Sequence, residues 1–228
     1  MAHIVIIENN PLSDEKINEY GKLISPNRVI KLNNYVKYDD KTRSLHAALL
    51  TRCLISKIFH LPNNQIVINT TKYGKPYVDL PYLYFNISHS GDFICCIIDN
   101  HNVGVDIEQI RFYDENVADR FYTKSEIELI NCNPTDTKEM IFYQIWTAKE
   151  AYLKYLGTGL HKKLNSFTVN ISNRNHISII DPENSTSNLI TNIIPFNNYF
   201  IASVSLTDTT YDFWDNDTYR QNIKFYLG

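Results

Sequence analysis

Two short stretches concentrate the side chains that could do chemistry: Gly104-Val105-Asp106-Ile107-Glu108 and Trp146-Thr147-Ala148-Lys149-Glu150-Ala151-Tyr152-Leu153-Lys154. The first has a strand composition. Side chains alternate across a strand, so Asp106 and Glu108 project to one side and Ile107 to the other. The second has helical spacing, which places Trp146, Glu150 and Lys154 on one stripe. Singly, each element is ordinary: an acidic pair on a strand is usually a solvated face, and a surface Glu–Lys pair contributes about 0.2–0.5 kcal/mol. Brought together, Asp106, Glu108 and Glu150 would form an all-oxygen site of the kind Mg²⁺ takes, with open positions for phosphate oxygens. Lys154 would neutralise further phosphate charge.

The joint pattern carries more than its parts. His89 sits in Phe85-Asn86-Ile87-Ser88-His89-Ser90-Gly91-Asp92, and a turn-like Lys72-Tyr73-Gly74-Lys75-Pro76 precedes it. These four pieces, in this order, resemble the Sfp-type 4′-phosphopantetheinyl transferases, from roughly Ser25 through Leu160. The family pattern of a G-[VI]-D-x-E strand followed by a W-x-x-K-E-x-x-x-K helix is met at every position. The resemblance implies transfer of the phosphopantetheine arm of coenzyme A to a serine of an apo carrier protein, with release of adenosine 3′,5′-bisphosphate.

The resemblance also implies site residues. Asp106, Glu108 and Glu150 would hold Mg²⁺ at the pyrophosphate, and Lys154 would stand where the leaving group develops charge. Arg28, Lys31, Arg43 and Ser44 would hold the 3′-phosphate. His89 would lie against the coenzyme's phosphates beside Lys75, Pro76 and Ser88. Glu150 is the expected base for the carrier serine, directly or through a metal-bound water, with Glu108 as the alternative. Lys149, about 100° around the helix from Glu150, would contact phosphate or cap the face. Trp146 is expected to pack beneath the site. The segment from Arg111-Phe112-Tyr113 to Arg120-Phe121-Tyr122-Thr123-Lys124 suits a basic, apolar rim for an acidic carrier; the other reading makes Phe121 and Tyr122 core residues of a short helix.

Composition narrows the class. The 228 residues are 43% hydrophobic and 13% aromatic, enough for a substantial core. With 22 basic and 25 acidic residues the formal net charge is −3, so no general attraction to nucleic acid or membrane is expected and phosphate binding must be local. Cys53, Cys95, Cys96 and Cys132 lack zinc-like spacing and read as buried free thiols of a reducing compartment. The apolar run Ile4–Ile7 is too short for a signal sequence, and no stretch approaches the roughly twenty apolar residues of a membrane span. A cytoplasmic monomer acting on a peptidyl, acyl or aryl carrier is the expectation. Readings from other classes are another Mg²⁺-dependent phosphoryl-transfer enzyme or nuclease, disfavoured by the lack of a P-loop and of an extended basic face, and a noncatalytic carrier- or nucleotide-binding protein, disfavoured by the full charge set.

The elements that must position these residues are readable in outline. A strand is expected at Ala2–Ile7 and a polar helix capped by Ser13; Pro26 opens a basic stretch. A long helix runs from Asp39 or Asp40 to about Phe59 on Leu45, Ala48, Leu49, Cys53, Leu54 and Ile58. Short strands are expected at 66–69, 77–80, 82–87 and 93–98, with Ser88-His89-Ser90-Gly91 as a turn between the last two. The acidic strand follows. Next come a short helix near 116–121, another capped by Thr123 or Ser125, and a major helix from Thr137 to about Leu156 ended by Gly157. Strands are expected at 167–171, 177–180, 190–194 and 199–205. The fold class is α/β (α+β), which the resemblance makes a pseudo-twofold pair of similar lobes. Each is a long helix on a small, mainly antiparallel sheet, with the active site between them. Residues 1–103 would form the N-terminal lobe, on the 3′-phosphate and adenine side, and 104–228 the C-terminal lobe with the metal and catalytic helix.

Overall fold

In the computed structural model, which describes residues 1–173 and 176–228, a first strand β1 (Ala2–Glu8) leads to helices α1 (Asp14–Gly21), α2 (Pro26–Asn33) and α3 (Tyr38–Phe59). Strands β2 (Ile68–Thr70), β3 (Pro76–Val78), β4 (Tyr84–Ser90), β5 (Phe93–Asp99) and β6 (Gly104–Gln109) follow. Helices α4 (Glu115–Phe121), α5 (Lys124–Asn131) and α6 (Thr135–Leu156) precede β7 (Thr168–Asn173), β8 (His176–Ile180), β9 (Ile190–Phe196), β10 (Tyr199–Ser205), β11 (Thr209–Trp214) and α7 (Asn216–Leu227). One sheet has the order β11-β1-β5-β4, a second β6-β10-β9-β8-β7, and β2 pairs with β3.

Strand alternation decides the layering. On β5, Phe93, Cys95 and Ile97 join one core cluster while Ile94, Cys96 and Ile98 join another, which is why this strand is apolar throughout. The cluster on the α3 side gathers Leu45, Leu49, Cys53 and Leu54 of α3 with Val5 and Ile7 of β1. A central cluster joins the two sheets: Ala2, Ile4 and Ile6 of β1 meet Val105 and Ile107 of β6 and Ile201 of β10. A third lies under α6, where Ile145, Ala148, Tyr152 and Leu153 meet Ala202 and Val204. Val105 and Ile107 therefore face inward between the sheets, and Asp106 and Glu108 take the opposite face of β6.

The two halves share one topology. β1–α3–β4–β5 and β6–α6–β9–β10 run in the same order, with sheet orders β1-β5-β4 and β6-β10-β9, and both long helices have 22 residues. The pairings within these units are antiparallel. The expected lobed α+β architecture is what the chain forms.

Three departures have physical reasons. The basic stretch after Pro26 is helix α2, with Pro26 at its first position and Leu32 as its one buried residue; at eight residues it is too short for its apolar periodicity to stand out in the sequence. β4 continues to Ser90, through the residues expected to form a turn, because their polar side chains meet partners across the lobe junction. Finally, the boundary at 103/104 misses the return of the chain: β11 pairs parallel with β1, and α7 buries Tyr219, Ile223 and Leu227 in the α3-side core.

Candidate active site

The two sheets come edge to edge at β4 and β6, and side chains make the seam. Asn86 Oδ1 accepts the Val105 N–H at 3.1 Å. Two residues on, Ser88 Oγ donates to Asp106 Oδ1 at 2.7 Å, and two further, Ser90 Oγ donates to Glu108 Oε2 at 2.9 Å while accepting the Gln109 N–H at 3.2 Å. Strand periodicity on β4 thus matches strand periodicity on β6. On the other side of β6, Gly104 lets α6 approach closely: a Cβ there would lie 2.1 Å from the Ala151 carbonyl oxygen and 2.4 Å from the Tyr155 nitrogen. That contact brings Lys154 Nζ to 2.7 Å from both Asp106 Oδ1 and Ser88 Oγ.

Burial and mutual repulsion shape the charges. Asp106 is only 3% exposed, and its Oδ2 has no hydrogen-bond partner among the described residues. Burial, and then the Asp106 charge, push the Glu108 carboxyl up to about 7, against the pull of Ser90, Lys154 and the Trp146 indole. Glu150 is raised by burial and by Asp106, and Lys154 opposes the shift. Burial alone would lower the Lys154 ammonium, but the charge and hydrogen bond of Asp106, with Glu150, outweigh it and hold Lys154 above the ordinary lysine range. The carboxylates Asp106, Glu108 and Glu150 form a hard-oxygen donor set, and the orphaned Asp106 Oδ2 suits a cation. Among the described residues, however, no group of three such side chains closes to metal-holding arrangement; Lys154 supplies the compensating charge at Asp106.

A basic wall faces this acidic floor. Arg28 Nη2 donates to Ser44 Oγ at 2.9 Å, and Arg43 Nη1 reaches Asp40 Oδ1 at 3.1 Å. The Nε–H groups of both arginines are buried without partners among the described residues. With Ser44, Tyr35 and His89 they line a hollow of about 310 Å³. Arg28 is shared with a neighbouring hollow of about 390 Å³ lined by Lys31, Gly74, Pro76 and Phe85. Arg43 and His89 are shared with one of about 410 Å³ that reaches Glu108, Arg111 and Tyr143. The result is a continuous groove from Pro76 to Glu108. His89 is held below the ordinary histidine range by burial and by the nearby Arg43 and Lys154 charges.

Most of the expected site residues thus line the groove or its acidic floor; other expectations change. The Lys75 ammonium turns away from the groove to Asn102, Val103 and Tyr155. Lys149 is fully buried on the far face of α6, paired with Glu126 Oε1 at 2.9 Å and donating to the carbonyls of Leu164 and Phe167, so it neither touches phosphate nor caps a surface. Trp146 is half-buried and packs, as expected, on the α6-side core beside Phe121 and Phe142, with its indole also drawing on the Glu108 carboxylate. In the proposed carrier rim, Phe112 is 88% exposed, whereas Tyr122 is buried and donates to the Phe142 carbonyl. Cys132 is exposed, unlike the three other cysteines. Ser90 and Asn86 went unnoticed as site residues; their alternation with Ser88 was the available signal.

Fold and site together define a two-lobed α+β protein whose cleft sets a basic wall opposite a buried acidic cluster. The chain belongs to the 4′-phosphopantetheinyl transferases: residues 102–204 match the model of the 4′-phosphopantetheinyl transferase superfamily, and residues 10–101 that of the 4′-phosphopantetheinyl transferase N-terminal family. It is 34% identical over 179 residues to 4′-phosphopantetheinyl transferase Sfp of Bacillus subtilis, covering 78% of this chain and 80% of that one. It is 33% identical over 160 residues to 4′-phosphopantetheinyl transferase gsp of Aneurinibacillus migulanus, covering 70% and 67%. A crystal structure of a holo-(acyl-carrier-protein) synthase from Bacillus anthracis in complex with coenzyme A (3′,5′-ADP) overlaps 45% of this chain and 92% of its own at 20% identity and a TM-score of 0.39, too loose a match to place any residue.

Proposed function

We propose that the protein transfers the 4′-phosphopantetheine arm of coenzyme A to a serine hydroxyl of an apo carrier protein, releasing adenosine 3′,5′-bisphosphate. The observation that carries this reading is the buried Asp106, its Oδ1 fixed by Ser88 and Lys154 and its Oδ2 without a partner among the described residues, beside a groove into which Arg28 and Arg43 bring guanidinium Nε–H groups that also lack partners among the described residues.

Arg28, Arg43, Ser44 and Lys31 hold the 3′-phosphate, and the hollow at Gly74, Pro76 and Phe85 takes the adenine. His89 and Lys154 meet the pyrophosphate. The carrier serine Oγ attacks the β-phosphorus, its proton passes to Glu150, and the bond from phosphorus to the adenosine bisphosphate oxygen breaks. Burial and Asp106 raise the Glu150 pKa, which brings this base nearer to the operating pH. Glu108 is the alternative acceptor. Lys154 faces the charge that develops on the departing phosphate. Mg²⁺, when bound, would supply positive charge at the pyrophosphate, and Asp106, Glu108 and Glu150 are the residues that would hold it.

Residues 1–103 supply the 3′-phosphate and adenine side and 104–228 the catalytic side, with β11 and α7 returning to complete the first sheet. Arg111, Phe112 and Arg120 form the rim for an acidic carrier. The protein acts as a monomer in the cytoplasm; among the described residues no helix is long and apolar enough to cross a membrane.

Intact mass of an apo carrier protein after incubation with this protein, coenzyme A and Mg²⁺ tests the proposal. A gain of one phosphopantetheine arm that EDTA abolishes supports it. No gain across peptidyl, acyl and aryl carriers, from protein shown to be folded, overturns it.

A further inference from the structure

The turn that joins β2 to β3 lines the groove with Gly74 and Pro76 and sends the residue between them the other way. The turn closes on itself: Thr71 N–H donates to the Lys75 carbonyl at 2.9 Å, Gly74 N–H to the Thr71 carbonyl at 2.9 Å, and Gly74 takes φ +88°. Lys75 Nζ then donates to Asn102 Oδ1 at 2.8 Å, the Val103 carbonyl at 3.0 Å and the Tyr155 carbonyl at 3.0 Å. Asn102 Nδ2 donates to the same Tyr155 carbonyl at 2.7 Å.

An ammonium has three donors, and here each has an acceptor. All three acceptors are neutral, so the charge is solvated by dipoles and not paired; burial brings the group down to about 8. The acceptors lie on separate segments: Asn102 and Val103 belong to the link between the halves, and Tyr155 to the last turn of α6, where carbonyls lack helical partners and a cation is favoured. Tyr155 directly follows Lys154. Gly157, at φ +70°, ends the helix and leaves room for the lysine stem, since a Cβ there would lie 3.1 Å from Lys75 Cδ.

We propose that Lys75 is a positioning residue: its ammonium ties the turn that lines the coenzyme groove to the end of α6, holding Pro76 in register with Lys154 and Glu150. The proposal deepens the transferase reading and rests on it for its kinetic consequence. It replaces the expected contact between the Lys75 side chain and coenzyme phosphate.

The test compares wild type with Lys75→Met, which keeps the stem and removes the charge, and with Asn102→Ala, which removes one acceptor. A positioning role lowers kcat by about tenfold, because small misplacement of reacting groups is costly, and leaves the calorimetric affinity for coenzyme A within about threefold. Asn102→Ala lowers kcat in the same sense, and the double variant is no worse than the poorer single one. A phosphate ligand gives the reverse, an affinity loss of about tenfold or more with kcat preserved, and that result overturns the proposal. Hydrogen exchange of the full chain supplies a readout without turnover. Amides at 153–157 exchange faster in Lys75→Met if the tie exists, and unchanged exchange in both variants overturns it, whether or not the wild type transfers phosphopantetheine.

Discussion

Lys154 Nζ and Asp106 Oδ1 stand 2.7 Å apart, and Ser88 Oγ lies 2.7 Å from each, so an α6 cation, a β6 anion and a β4 hydroxyl close one triangle across the lobe junction. The second Asp106 oxygen has no hydrogen-bond partner among the described residues. Asp106→Asn keeps the shape and removes the charge, and should lower phosphopantetheine transfer by about 10³-fold or more, in the range lost with a preorganised charged group. Lys154 is 28% exposed, so the fold should survive its loss of a partner. Transfer by intact mass, with circular dichroism as the fold control, checks this, and full activity would remove Asp106 from the mechanism.

Glu108 gives a pH dependence with a definite sign. Its folded pKa of about 7 lies above the unfolded value of 4.5, so the contribution of Glu108 to stability is full below pH 4.5 and is lost as pH rises through 7 and the buried group ionises. In EDTA at pH 8, Glu108→Gln should stabilise the protein by about 1–3 kcal/mol; at pH 4 the two proteins should be nearly equal. Urea midpoints at both pH values measure it. Transfer should show the opposite trend and decline as pH drops through about 7, because the reaction needs the carboxylate.

Lys149 and Glu126 form a fully buried pair that also caps α5: Glu126 accepts the Thr123 N–H at 2.8 Å and the Val169 N–H at 2.6 Å. Removing one partner leaves an uncompensated buried charge, so Lys149→Met should cost about 3–5 kcal/mol in urea unfolding. The double variant with Glu126→Gln should cost less than Lys149→Met alone. The affinity of the folded fraction for coenzyme A should match wild type, and a specific loss of that affinity would return Lys149 to the site.

Arg28 and Arg43 offer, in the basic wall, Nε–H groups without partners among the described residues. If these meet the 3′-phosphate, Arg28→Gln and Arg43→Gln should each weaken coenzyme A roughly tenfold, the size of a lost hydrogen bond to a charged group, and leave 3′-dephosphocoenzyme A nearly unaffected. Titration calorimetry with both ligands decides it. Equal losses for the two would place the arginines elsewhere on the coenzyme.

The acidic strand and both long helices were legible because their signals are local. Alternation sorted Ile107 from Asp106 and Glu108, and Gly157 marked the end of α6 at a left-handed position. Other features depended on partners far along the chain. The alternation of Asn86, Ser88 and Ser90 puts Ser90 on a shared face but does not announce that its hydroxyl will hold Glu108, and α2, eight residues long, is too short for its periodicity to stand out beyond Pro26.

What the sequence by itself determined is the set of chemical groups and the face of each element on which they stand, since side-chain direction follows from helical and strand periodicity alone. Only the tertiary structure decided which groups share a site. Lys149 and Glu150 are neighbours in sequence, yet one is buried against Glu126 and the other faces Asp106, because their side chains stand about 100° apart on a helix that packs on α5 along one side and on β6 along another. Lys75 and Pro76 diverge for the same reason, one bound to the end of α6 and one lining the groove. β11 reaches β1 from the far end of the chain, a pairing set by the exposed sheet edge it covers and by no local pattern.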